Sequence, residues 1–116
     1  EEHRIQCSCV KWFNLKYPKL KGRLFAVPNG GRRDTVTGGK LKAEGVTAGV
    51  SDLILLKSNR DYGALLIEMK TPVGRQSDSQ KEWQKIICEN GEYKYVVCRS
   101  LDDFIREVDD YLKNTE

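Results

Sequence analysis

Histidine and clustered cysteines are scarce in this chain. The one histidine is His3, and the four cysteines (Cys7, Cys9, Cys88 and Cys98) form neither a CxxC pair nor two pairs at zinc-site spacing. We therefore expect reduced, mostly buried thiols rather than a structural zinc site. No apolar run approaches the roughly 20 residues of a membrane helix, and no signal-peptide pattern is present. We expect a cytoplasmic protein with no membrane partner.

Length and composition predict one domain, residues 1–116, around one hydrophobic core. Hydrophobic residues make up 39% of the chain and charged residues 32%, which favours a folded core with a well-solvated surface. The net charge is only +3, but nine basic residues and one acid lie between positions 11 and 42, whereas positions 100–116 hold six acids and two bases. The basic half suits a polyanion such as nucleic acid, and a merely solvated surface is the alternative.

The spacing of apolar residues predicts a mixed α/β sandwich, with a small central sheet flanked by helices in the order α-β-(α)-β-β-α-β-α. The first helix has apolar residues at helical spacing from Ile5 to Tyr17 and is ended by Pro18. The further predicted elements are a strand at 23–27, a short helix at 40–44, strands at 52–57 and 64–70, a helix from 78 to about 90, a strand at 93–98 and a helix after the N-cap Ser100.

Two of the buried-type strands carry charged residues at their ends. Asp52 opens one strand, and Glu68 and Lys70 close the next. Antiparallel pairing would bring Asp52 beside Glu68, and Lys70 would share the face of Glu68 because residues two apart point the same way. Close carboxylates repel each other, and Mg²⁺, which prefers carboxylate oxygens, removes that repulsion. We therefore favour a metal site, with the backbone carbonyl of Met69 as a further ligand, over a strand-end salt bridge.

These charged residues belong to a series of segments that runs along nearly the whole chain. The segments are EHRIQ, VPNGG followed by Arg, LKAEGVTAGVSDLILL, LLIEMK, SDSQKEWQ and YVVCRSLDDFI. In this order they resemble the virus-type replication-repair nuclease (VRR-NUC) domain of the PD-(D/E)XK nuclease superfamily. One departure is Ser51, which stands where the family usually has a proline that shapes the backbone. The resemblance implies a restriction-endonuclease-like core.

The resemblance also implies a role for each matching residue. Asp52 and Glu68 would be metal ligands and Lys70 the catalytic lysine, with Mg²⁺ as cofactor and Mn²⁺ able to replace it. Gln80 would be a supporting active-site residue that holds Lys70 or a phosphate, and the alternative is a solvated helix residue. Glu2 matches a first-helix glutamate that can approach the metal through water, and the alternative is a disordered terminal acid.

The sequence VPNGGRR and the two lysines that follow it provide candidate contacts to DNA. A Gly-rich turn before two arginines can bring backbone amides and guanidinium groups to phosphates, although it is no P-loop and a plain turn is the alternative. The candidate DNA contacts are Asn29, Arg32, Arg33, Lys40 and Lys42. Such contacts lend affinity without base specificity. Trp12 and Trp83 occupy helical apolar positions, so we expect them in the core rather than stacked on bases.

The function implied by the resemblance is that of a metal-dependent, structure-specific DNA endonuclease. Small stand-alone members look like Holliday-junction or branched-DNA resolvases that act as homodimers in phage or bacterial replication and repair, and thus in the cytoplasm of a bacterial host cell. A helicase or repair protein is a further candidate partner. Two alternatives remain: a non-catalytic or partner-dependent DNA-binding module, and a nuclease that acts on flaps or single-stranded nucleic acid.

Overall fold

The fold was obtained as a computed structural model, which describes residues 1–28 and 40–115. Helix α1 spans Glu2–Lys16 and is followed by a 3-10 turn at Pro18–Leu20. The other elements are strands β1 (Leu24–Ala26), β2 (Leu53–Leu55) and β3 (Leu65–Met69), helix α2 (Asp78–Cys88), strand β4 (Lys94–Cys98) and helix α3 (Leu101–Lys113). Residues 40–43 form one further helical turn. The predicted order of elements is thus confirmed. No helix in these two ranges is long and apolar enough to cross a membrane.

The strands of the described residues form one mixed sheet in the order β1-β2-β3-β4. Strand β2 pairs antiparallel with β1 and with β3, while β4 runs parallel to β3. Parallel neighbours need a crossover connection, and α2 supplies it. Leu53 is the partner of Ile67, so the next residues outward, Asp52 and Glu68, lie opposite each other. The predicted antiparallel arrangement of these two strands is therefore confirmed.

The hydrophobic core lies on one face of the sheet, between the strands and helices α1 and α3. Alternate residues of β2, β3 and β4 point to this face, because side chains of a strand alternate between its two sides. The main core residues are Cys9, Phe13, Leu53, Leu55, Leu65, Ile67, Met69, Cys98, Phe104, Val108 and Tyr111. Burial of each large apolar side chain contributes roughly 1.5–3 kcal/mol. This packed face makes the strands a rigid support for side chains on the opposite face.

On the opposite face of the sheet, the predicted strand at residues 52–57 was wrong in its extent and in its burial. We expected residues 52–57 to form a strand covered on both sides, but β2 has only three residues and the side chain of Leu56 is 57% exposed. Helix α2 packs over β4, which lies at the opposite edge of the sheet from β1. Ile86 of α2 is likewise 59% exposed.

The termini of the helices follow the predicted signals. The Ser100 hydroxyl caps α3 by accepting a hydrogen bond from the Asp103 N–H at 3.1 Å, as expected for an N-cap. Tyr111 of α3 is fully buried, and its hydroxyl donates a hydrogen bond to the Lys57 carbonyl at 2.6 Å. Its ring is core while its polar tip finds a backbone partner, which a hydrophobicity pattern does not reveal.

The expected burial is found for two of the four cysteines, and the expected core position for one of the two tryptophans. Cys9 and Cys98 are buried thiols, whereas Cys7 is exposed. Trp12 packs against the core with its ring edge-on to Phe104, at 6.0 Å between ring centroids. The expected core position is confirmed for Trp12, while Trp83 is half-buried on the α2 side of the sheet.

Candidate active site

Asp52 lies immediately before β2, where its backbone and side chain hold two neighbouring segments. Its carbonyl accepts a hydrogen bond from the Val27 N–H at 2.8 Å, and its Oδ2 accepts one from the Met69 N–H at 2.7 Å. In an extended strand the N–H and C=O of one residue point towards the same neighbour. The Met69 carbonyl is therefore also directed to the side of β3 on which Asp52 lies.

The chain reaches Asp52 through a close crossing over the first turn of α2. Gly49 has a φ of +86°, and a Cβ at this position would lie 2.1 Å from the Ser79 carbonyl oxygen. No side chain fits in that space, and the left-handed backbone itself favours glycine. Gly49 thus allows the segment before β2 to pack directly on α2, which sets the distance between Asp52 and the residues of that helix.

Glu68 is a buried carboxylate with a donor on each oxygen. Its side chain is only 1% exposed. Oε2 accepts a hydrogen bond from Gln80 Nε2 at 2.9 Å, and Oε1 accepts one from the Tyr95 hydroxyl at 3.1 Å. Burial, and then the neighbouring Asp52, raise the pKa of Glu68 to about 8, whereas Tyr95 and Lys70 act in the opposite direction. The hydrogen bonds from Gln80 and Tyr95 therefore do not fully offset the cost of an ionised Glu68 at this buried position.

Gln80 is oriented by the cap of its own helix. The Ser77 N–H donates to Gln80 Oε1 at 2.8 Å, and the Gln80 N–H donates to Ser77 Oγ at 3.2 Å, which together make a capping box. Because a backbone N–H only donates, Oε1 must face Ser77, and Nε2 is left to face Glu68. Gln80 therefore supports the site by holding Glu68, and its expected contact with Lys70 or a phosphate stays a prediction.

Lys70 follows β3 directly, and its side chain is half-buried. Its N–H donates to the Cys98 carbonyl at 3.0 Å, which continues the pairing of β3 with β4. The loop after it is held by Arg99, whose Nη1 donates to the carbonyls of Thr71 at 2.8 Å and Gly74 at 2.6 Å. Hydrogen bonds thus hold the backbone of Lys70 and the loop after it. The charge of Lys70 lies close enough to favour the ionised form of Glu68.

The comparisons with known proteins agree with this architecture. The family model of the VRR-NUC domain matches residues 2–102. The chain belongs to the VRR-NUC domain family. A solved structure described as "VRR_NUC domain protein" has a TM-score of 0.84 and 26% sequence identity, over 99% of this chain and 90% of that one. A search of curated proteins found no match. The VRR-NUC family is a nuclease family whose substrate is DNA, and the mixed sheet flanked by helices is the expected PD-(D/E)XK core.

The site of this VRR-NUC domain fits a divalent cation, and nucleases of this kind are generally metal-dependent. Asp52 and Glu68 are neighbouring carboxylates, and one of them is buried with a raised pKa. Such a pair is destabilised by its own repulsion until a cation binds between the two groups. Oxygen ligands from two carboxylates and a backbone carbonyl are the type that Mg²⁺ takes up, with water completing the coordination. The residues therefore suit a divalent metal ion, in agreement with the general metal dependence of these nucleases.

The other predicted site residues are Glu2 and the five candidate DNA contacts. Glu2 is exposed at the start of α1. Over residues 1–28 and 40–115, no three His, Cys, Asp or Glu side chains group as a metal site, so Glu2 does not form a trio with Asp52 and Glu68. Lys40 and Lys42 are exposed, and Lys42 lines a cleft of about 720 Å³ that also contacts Asp52. Asn29, Arg32 and Arg33 lie outside the described residues.

Sequence reasoning missed two residues that contact the site. Tyr95 reaches Glu68 directly, and Gln76 reaches Tyr95 with a hydrogen bond of 3.2 Å from its Nε2 to the Tyr95 hydroxyl. The pattern Ser-x-x-Gln at Ser77 is a readable capping box and would have indicated the orientation of Gln80. No comparable signal marks Tyr95, because its place depends on β4 lying beside β3, which the sequence pattern alone does not fix.

Proposed function

We propose that this VRR-NUC domain is a Mg²⁺-dependent endodeoxyribonuclease that cuts branched DNA such as a Holliday junction. The observation that carries the proposal is the pairing of Asp52 with the buried Glu68 at one end of the sheet. Lys70 lies two residues after Glu68 along the same extended segment. The two side chains therefore point to the same face of the sheet. Two carboxylates and a lysine in this arrangement suit hydrolysis of a phosphodiester bond.

Each residue of the site has a separate task in that reaction. Asp52, Glu68 and the Met69 carbonyl would hold the cation, which when bound supplies an activated water and stabilises the negative charge of the phosphate. Lys70 adds a positive charge where negative charge develops on the phosphate oxygens. Gln80 fixes the direction in which Glu68 presents its oxygens. We propose Glu2 as a further acid that approaches the metal through water.

The DNA strand would enter through the cleft next to Asp52. Its lining includes Lys42 and the hydroxyl-bearing residues Thr47, Ser77 and Ser79. These groups suit phosphate oxygens and sugars, and such contacts carry no base specificity. We propose Lys40, Asn29, Arg32 and Arg33 as further contacts to the DNA backbone, because they lie in the basic segment of the sequence. Recognition would then depend on the shape of the DNA.

The proposed unit is a homodimer in the cytoplasm of a bacterial host cell, in phage or bacterial replication or repair. A four-way junction is cut symmetrically by two active sites related by a two-fold axis, and a homodimer supplies that symmetry. Each chain would contribute one Asp52–Glu68 pair. A helicase or repair protein is a further proposed partner, and the acidic C-terminal helix is its candidate docking surface.

A panel of DNA substrates tests this function. The purified protein is incubated with a four-way junction, a flap, a duplex and a single strand, each with Mg²⁺, Mn²⁺ or EDTA. We expect cleavage of the junction with either metal, none with EDTA, and none by the Lys70→Ala variant. If the protein cleaves only flaps or single strands, the junction is not its substrate and these structures take its place. Absence of any cleavage by the wild-type protein, with metal present, would contradict the nuclease proposal.

A further inference from the structure

Tyr95 reaches the site from β4 and contacts the oxygen of Glu68 that Gln80 does not contact. Its register partner on β3 is Leu66, and Leu66 shares a face of the sheet with Glu68 because the two residues are two apart. The Tyr95 hydroxyl donates to Glu68 Oε1 at 3.1 Å. The tyrosine ring lies beside Trp83 of α2, at 6.1 Å between ring centroids. Packing therefore holds the ring, and the hydroxyl contacts a proposed metal ligand.

Gln76 fixes the direction of the hydrogen bond from Tyr95. Its Nε2 donates to the Tyr95 hydroxyl oxygen at 3.2 Å and to Gln84 Oε1 at 3.0 Å. An amide nitrogen only donates, so the Tyr95 oxygen accepts from Gln76. The hydroxyl proton of Tyr95 is then left to point at Glu68. The chain of donors thus runs in one direction, from Gln76 through Tyr95 to the carboxylate.

The two oxygens of Glu68 are therefore held by two independent networks. Oε2 is held by Gln80, whose orientation depends on the backbone N–H of Ser77. Oε1 is held by Tyr95, whose orientation depends on Gln76 and, through it, on Gln84. A carboxylate oxygen has two lone pairs, so each oxygen can accept its donor and still coordinate a cation. Hydrogen bonds of this kind orient metal ligands in proteins.

We propose that Tyr95, oriented by Gln76 and Gln84, is a positioning residue that fixes the Glu68 carboxylate for binding of the divalent cation. This inference rests on the proposed metal-dependent nuclease function. Tyr95 acts on the reaction only through Glu68, and it leaves the lysine and the phosphate untouched. Its removal should therefore weaken metal binding more than the chemistry at saturating metal.

The test compares Tyr95→Phe with the control Tyr93→Phe, which removes the same hydroxyl from a side chain that is 37% exposed. Mn²⁺ is titrated calorimetrically into each protein without DNA. We expect the Tyr95→Phe dissociation constant for Mn²⁺ to rise by about 10-fold or more, the usual loss when such a partner of a metal ligand is removed. The control should bind Mn²⁺ like the wild-type protein.

Cleavage assays over a range of Mn²⁺ concentrations separate positioning from a general loss of fold. In Tyr95→Phe, the Mn²⁺ concentration for half-maximal rate should rise by the same factor, while the rate at saturating Mn²⁺ should change less. Thermal unfolding with EDTA checks the fold. If Tyr95→Phe does not fold, the Gln76→Met variant takes its place, because it leaves the Tyr95 hydroxyl but removes the donor that orients it.

The outcomes distinguish the two proposals. Wild-type metal binding and cleavage, together with unchanged Mn²⁺ affinity in folded Tyr95→Phe or Gln76→Met, would overturn the positioning role and leave the nuclease function standing. Lack of Mn²⁺ binding and of cleavage by the wild-type protein would overturn both. A weakened Mn²⁺ affinity in the variants, with the Tyr93→Phe control intact, supports the positioning role.

Discussion

At the scale of single residues, the site depends on where hydrogen-bond acceptors and charges are placed. Asp52 has two separate tasks, because its Oδ2 accepts the Met69 N–H while its charge faces the buried Glu68. The first task supports the fold, and the second opposes it until a cation binds. Residues at functional sites often combine a structural contact with such an unfavourable charge.

Two substitutions at Asp52 separate these tasks. Asp52→Asn keeps an oxygen for the Met69 N–H but removes the charge, whereas Asp52→Ala leaves that N–H without its acceptor, which costs about 1–3 kcal/mol. We expect both variants to lose DNA cleavage, and Asp52→Asn to be the more stable one by that amount. Chemical denaturation with EDTA measures the stability, and the substrate panel measures cleavage. Cleavage at the wild-type rate by Asp52→Asn would remove Asp52 from the proposed metal site.

At the scale of the elements, the site forms where a loop, two strand ends and a helix start come together. Asp52 and Glu68 come from the paired ends of β2 and β3, and Gln80 comes from the first turn of α2. The loop before β2 crosses α2 so closely at Gly49 that backbone touches backbone. The arrangement of the site therefore depends on a glycine that takes no part in the chemistry.

Gly49→Ala tests this close crossing, with Gly45→Ala as its control. Both glycines have positive φ values, of +86° and +103°, but a Cβ at Gly45 meets no atom within 4 Å. Gly45→Ala should cost about 1 kcal/mol, from backbone strain alone. Gly49→Ala should destabilise the protein clearly more and also slow cleavage, because the loop carrying Asp52 must move away from α2. Equal losses of stability in the two variants, measured by denaturation, would show that the crossing is not tight.

At the scale of the whole molecule, α1 and α3 form one layer that packs against the core face of the sheet. Asp109 of α3 joins them, since it accepts hydrogen bonds from the Tyr17 hydroxyl and from Lys16, the latter at 2.9 Å. Burial opposes ionisation of Asp109, but the bonds from Tyr17 and Lys16 outweigh it and lower its pKa. The ionised carboxylate is therefore the form that stabilises the packing of the two helices.

Asp109→Asn should lower the free energy of unfolding at pH 7 by about 1–2 kcal/mol, the worth of hydrogen bonds to a partly exposed charge. A lowered pKa means that this stabilisation is fully present above the pKa of about 4 in the unfolded chain. It is lost as the pH falls through the lower pKa of the folded protein. Denaturation curves of wild type and variant should therefore converge in acid.

Asp110→Asn is the control for this experiment, because it removes one negative charge from an exposed position on the same helix. It should change the free energy of unfolding much less at pH 7. A difference between wild type and Asp109→Asn that stays constant or grows towards pH 3 would contradict the assigned role of the carboxylate.

The proposed homodimer gives a prediction for the molecule as an assembly. If two sites act together on a symmetric junction, the protein should be a dimer at micromolar concentration. Light scattering coupled to gel filtration measures the mass, for which one chain contributes 13.3 kDa. A monomer under these conditions would argue against a resolvase, while cleavage of other DNA structures would remain compatible with the nuclease proposal.

The sequence by itself determined the order of the elements and the place of the two carboxylates. Local signals are sufficient for these, because Pro18 ends a helix, Ser100 begins one, and apolar runs mark strands whose antiparallel pairing brings Asp52 to Glu68. The same signals gave neither the true extent of β2, which ends at Leu55, nor the exposure of Leu56, because strand pairing and tertiary packing decide both.

Only the tertiary structure decided how Glu68 is held. Tyr95 follows Glu68 by 27 positions and contacts it because β4 returns parallel to β3 after the crossover through α2. Gln76 and Gln80 are close in sequence to each other, yet their donors reach Glu68 by different routes. Local propensity acts over a few residues, whereas the surroundings of a buried carboxylate are set by strand neighbours that come together only when the sheet assembles.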